Sequence, residues 1–175
     1  MVRHGSGFRV AFCAMIIALS VLFLLGAELI PSAQLALCCL AGFFVGAVVA
    51  TLGYGSALLC WAGASLLGLI LLPGKGSALL FLLVFGLYPL VKSLVEKLRP
   101  AALAWIVKLA WCNALLAVCL LGLSRLLFPE LKGGTFSLTV FWLAGVGLFV
   151  LYDVTFTRVM IYYQGRILPL LRRQK

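Results

Sequence analysis

Lys108 and Asp153 are at odds with their surroundings. Lys108 lies within AALAWIVKLAWCN at 101–113 and Asp153 within GLFVLYDVTF at 147–156, so each puts an ionisable group into an otherwise apolar run. An isolated charge at the centre of a membrane helix costs about 2.5–3.5 kcal/mol even on the gentlest insertion scales. A lysine and a carboxylate that meet remove most of that penalty. Such a pair can be purely structural, or can relay a proton or hold a polar ligand. Asn113, Tyr88 and Lys92 bring an amide, a phenol and a second ammonium to the neighbouring stretches. Pro89 removes one backbone hydrogen bond and strips the Phe85 carbonyl of its helical partner, which predicts a kink there and one more acceptor for the set.

Depth along the helices bears on whether the pair can form. With a helix starting near Ala101, Lys108 lies roughly 10 Å in from that end. With a helix starting near Ser137, Asp153 lies about 24 Å from its start, which leaves roughly 6 Å of a ~30 Å hydrocarbon layer. The two levels agree, so an ion pair between the fifth and sixth helices is expected. Two other arrangements remain open. Lys108 can snorkel to the headgroups on its four-carbon stem, and Asp153 can pair with Lys92 or Arg158 near the interface.

Catalytic chemistry finds less support. Only four acids exist, Glu28, Glu96, Glu130 and Asp153, and the sole histidine, His4, lies at the N-terminus. Ser20 and Ser65 fall in apolar runs with no evident base, and hydrolysis needs an activated nucleophile, paired acids or a metal. The six cysteines, Cys13, Cys38, Cys39, Cys60, Cys112 and Cys119, also fall in apolar runs without the spacing of a zinc site. They are expected to act as small apolar residues, with no disulfide, metal or cofactor. The chain is not expected to be an enzyme.

The elements that must position these groups follow from hydropathy. Of 175 residues, 65% are hydrophobic and 10% charged, and the mean hydropathy of +1.24 lies far outside the range of soluble domains. Apolar runs near 10–27, 34–51, 57–72, 78–95, 101–128 and 137–157 approach the ~20 residues that cross a bilayer. They predict an all-α membrane protein, one bundle of six transmembrane helices in a single domain, with a basic tail at 158–175. A basic start before an apolar run also fits a signal peptide. The first run is long for that and no small-residue cleavage site follows, so a retained helix is expected. Gly42, Gly46 and Ala50 on the second helix, and Ala11, Ala14 and Ala18 on the first, form faces that permit close helix approach.

A net charge of +10 on a soluble protein would suggest nucleic acid. Here the charge falls between and after the apolar runs, as in the inner loops of membrane proteins. With both termini cytoplasmic, Arg3, Arg9, Lys92, Lys97, Arg99, Arg158, Arg166, Arg172, Arg173 and Lys175 collect on the inner side. Lys75, Arg125 and Lys132 are then outside, and ten against three is a positive-inside bias that supports six crossings. The partner expected of this charge is the lipid bilayer with its anionic headgroups, and no nucleic acid.

Six short helices in a chain of this length, both ends inside, and an alanine-spaced first helix resemble the S component of energy-coupling-factor (ECF) transporters for vitamins and micronutrients. The runs GLYPLVK and WIVKLAWCN, with Tyr152 and Asp153 further on, are also similar to a family of small uncharacterised clostridial-type membrane proteins. The S-component resemblance implies a bacterial plasma-membrane protein that binds a small molecule in a pocket opening outward. It implies that Ala14 and Ala18 on the first helix face a membrane-embedded coupling subunit, and that two ATPase subunits on other chains supply the energy. The absence of a Walker A sequence fits a passive subunit. Polar side chains for an outer pocket are few: Glu28, Gln34, Arg125 and Glu130, then Lys75, Lys132, Thr135 and Ser137. A second expectation is a small membrane scaffold that holds a partner through its basic cytoplasmic face, with neither transport nor catalysis.

Overall fold

The computed structural model describes residues 6–95, 101–118 and 135–167. Six helices account for nearly all of them, and no strand occurs among the described residues. They are α1 (Ser6–Leu29), α2 (Gln34–Leu52), α3 (Tyr54–Leu71), α4 (Gly76–Val95), α5 (Ala101–Ala117) and α6 (Thr135–Tyr162). α1 to α4, and α6 with the turn that follows it, are long and apolar enough to cross a membrane. The continuation of the fifth run to 128, the charged turn at 96–100 and the tail from 168 lie outside the described residues.

By internal contacts the chain divides into two compact units, Met1–Ser93 with Arg158–Lys175, and Leu94–Thr157. In the first, α1 to α4 pack up and down. α1 runs antiparallel to α2, with Gly26 against Leu37 and the Phe23 and Phe44 rings edge to face at 5.3 Å. It runs parallel to α3, where Gly63 faces Ile17 and Gly68 faces Leu24. The small residues Ala57, Cys60, Ala64 and Gly68 line the buried face of α3, which lets the two backbones approach closely. Gly42 and Gly46 are likewise buried on α2 and serve internal packing.

Local chemistry sets the connections. α2 and α3 are joined by Gly53 alone, at φ 91°, a left-handed conformation that an L side chain rarely adopts. α4 is not uniform. Residues Phe81–Phe85 form a π turn and the α-helix restarts at Tyr88, so the irregularity falls one turn earlier than Pro89 itself. The Gly86 N–H donates to the Phe81 carbonyl at 2.7 Å, closing the wider ring. Pro89 then occupies the first turn of the restarted helix, where a missing N–H is harmless. The Leu87 carbonyl accepts from both Leu90 and Val91.

In the second unit α5 and α6 run antiparallel, with Leu116 packed against Gly145 and Lys108 facing Asp153. α6 starts at Thr135 and continues to Tyr162, longer at both ends than the sequence run at 137–157.

Candidate functional site

The Lys108 ammonium lies 3.3 Å from each oxygen of the Asp153 carboxylate, and the side chains are 8% and 4% exposed. The contact is thus an even fork from one nitrogen to two oxygens. Its elements explain its position. Lys108 follows the first turns of α5 and Asp153 lies two thirds of the way along α6, so antiparallel packing brings both to one level. The ammonium also stands 5.4 Å from the centroid of the Trp105 ring, within range of a cation–π contact. One turn beyond, the Thr157 hydroxyl donates to the Asp153 carbonyl at 2.8 Å, satisfying its own hydrogen on the local backbone.

Asn113 belongs to the same helix pair but is engaged differently. Its amide nitrogen donates to the Leu109 carbonyl at 2.8 Å, and its oxygen accepts from the Trp142 indole at 3.1 Å. Trp142 was not among the residues singled out from sequence. The available signal was that an indole N–H in an apolar helix must find an acceptor. Tyr88 and Lys92 lie one turn apart on α4 in the other unit. Both are buried, with the ammonium 5.7 Å from the phenol ring centroid.

A second polar cluster lies where α1, α2 and α4 meet at the Leu29 end of α1. Glu28 Oε1 accepts the backbone N–H of Ser77 at 3.2 Å, so the carboxylate covers the start of α4, where the helix dipole favours negative charge. The Gln34 amide donates to the Ser77 hydroxyl at 3.0 Å, and the Cys38 thiol reaches the Ser77 carbonyl at 3.8 Å. Ser77 itself is fully buried. Gly74 packs so closely on the Glu28 carboxylate that a Cβ there would overlap it. Lys75 donates to the Leu69 and Leu72 carbonyls at 2.6 and 2.8 Å, capping the end of α3 with a cation, as the dipole prefers. Of the four weak outer candidates, Glu28 and Gln34 therefore converge on one residue. Arg125 and Glu130 lie outside the described residues.

Ala11, Ala14 and Ala18 are exposed along α1, away from its buried Ile16, Ser20, Val21 and Leu24. The Ser20 and Ser65 hydroxyls are buried with no hydrogen-bond partner among the described residues. The five described cysteines, Cys13, Cys38, Cys39, Cys60 and Cys112, are free thiols. No family model matches the chain, and no curated protein or solved structure matches it.

Proposed function

We propose that this chain is the membrane-embedded substrate-binding subunit of an ECF-type micronutrient uptake transporter in a bacterial plasma membrane. Separate coupling and ATPase subunits energise it. The observation that carries this reading is the face of α1. Ala11, Ala14 and Ala18 stand exposed on a helix whose Ile16, Ser20, Val21, Leu24 and Ala27 are buried in the core of its unit, and a small-residue face lets a partner helix approach to backbone contact. On this reading the small molecule would bind near the end of the unit where Glu28 and Gln34 converge on the buried Ser77, with the second oxygen of the carboxylate as a polar contact.

Co-purification tests the reading. A tagged chain expressed in its own host should bring down an integral membrane protein and two ATPase chains in stable proportion. Replacing Ala14 and Ala18 by Trp should abolish that recovery while leaving the unfolding midpoint of the isolated chain unchanged, since both positions are exposed. Recovery of a different inner-face protein, indifferent to the two substitutions, would instead establish the scaffold role.

A further inference from the structure

α6 is longer than a crossing requires. Its 28 residues span about 42 Å, against a hydrocarbon core of ~30 Å. Its last turns therefore reach the headgroup layer, and they carry Arg158, Tyr162 and, in the π turn Tyr163–Ile167, Arg166. Both arginines are exposed. Eight residues of uninterrupted α-helix would turn Arg166 about 80° away from Arg158. The π turn closes its hydrogen bonds five residues apart and takes more residues per turn, which rotates Arg166 back toward the line of Arg158. The segment is also held in place, because the Tyr163 hydroxyl bonds the Thr51 hydroxyl at the end of α2, 2.9 Å away.

We propose that Arg158 and Arg166, with Tyr162 between them, form a headgroup site for an anionic phospholipid. The chemistry favours a lipid over a free phosphate. The flanks are apolar and open, with Ile161 64% and Tyr162 63% exposed, so the site lies at the border of hydrocarbon, where tyrosine is enriched. Guanidinium groups bind phosphate oxygens through paired N–H donors, and the anchoring at Thr51 lowers the ordering cost of binding. This site does not rest on the proposed substrate-binding role.

The test is native mass spectrometry of the full chain in mild detergent with equal amounts of phosphatidylglycerol and phosphatidylcholine of identical acyl chains. The wild type should retain phosphatidylglycerol in preference by on the order of tenfold, given the attraction of two basic residues for an anionic surface. R158Q and R166Q should each reduce the preference and the double variant should abolish it. R158K/R166K, which keeps the charge, should retain most of it and R9Q, an exposed arginine on α1, all of it. Equal retention of the two lipids by the wild type overturns the proposal, as does a preference that survives R158Q/R166Q. A loss in R9Q as large as in the double variant also overturns it by showing diffuse attraction. So does displacement of the lipid by millimolar inorganic phosphate, or a bound protein with no lipid preference.

Discussion

Lys108 and Asp153 meet as a buried ion pair, 3.3 Å apart. Removing one partner of a buried pair leaves an uncompensated charge, which costs about 3–5 kcal/mol. Lys108→Met and Asp153→Asn are each expected to lower stability by about that much, read as the midpoint of unfolding by a denaturing detergent. The Lys108→Met, Asp153→Leu double variant should cost less than either single change, because an apolar pair of similar volume needs no compensation. The reversed pair, Lys108→Asp with Asp153→Lys, should recover part of the loss, and equal damage in single and double variants would refute the coupling. Glu28 differs, because it bonds a backbone N–H at a helix start. Glu28→Ala is expected to cost about 1 kcal/mol, the usual price of a lost cap, whereas Glu28→Gln keeps the acceptor and should lose only a few tenths.

At the scale of elements, α4 carries the most demanding local geometry. A Cβ on Gly86 would stand 2.8 Å from the Phe81 carbonyl oxygen and 2.8 Å from the Trp61 ring, and neither the backbone nor a packed indole can yield easily. Gly86→Ala is therefore expected to destabilise by about 1–3 kcal/mol. The Trp61 indole donates to the Leu82 carbonyl at 3.2 Å, inside the π turn where the regular ladder is disturbed. Trp61→Phe keeps the ring and removes that bond, for an expected loss of about 1 kcal/mol. Thermal unfolding of the two variants against wild type checks both values, with Gly55→Ala as a control. Gly55 meets nothing within 4 Å and should be neutral or slightly stabilising in its helix.

At the scale of the molecule, the reading as a membrane protein rests on surface as much as on length. Leu29, Leu59, Ile70 and Leu143 are among many large apolar side chains that face outward, a surface that in water would drive association. The positive-inside bias predicts that a cysteine at Lys132, in a background without native cysteines, is labelled by an impermeant reagent from outside. A reporter fused after Lys175 should then report from the cytoplasm. The opposite pattern would invert the topology and move the Glu28 cluster to the inner face.

Much of this was legible without coordinates. Runs of apolar residues long enough for a bilayer mark helices whatever their neighbours are, because in hydrocarbon each backbone group must be satisfied within its own segment. Lys108 and Asp153 stood out for the same reason, as an isolated charge there is unfavourable enough to imply a partner. Matching depth made each the other's expected partner, but did not by itself decide it. Two open alternatives for Asp153 were Lys92 and Arg158, and depth along a helix cannot choose among residues at similar levels. The antiparallel packing of α5 on α6, with Leu116 against Gly145, brings Lys108 to Asp153. The bond between Asn113 and Trp142 and the convergence of Glu28 and Gln34 on Ser77 join residues 29, 49 and 43 positions apart. The π turn before Pro89 was visible only as a proline and a glycine, and the bond its Leu82 carbonyl accepts comes from Trp61 on another helix. The sequence by itself determined which segments are helical and which groups need partners, because those are properties of each residue in its own stretch. Only the tertiary structure decided the partners, because helix rotation and approach are set by side-chain packing between segments distant in the chain.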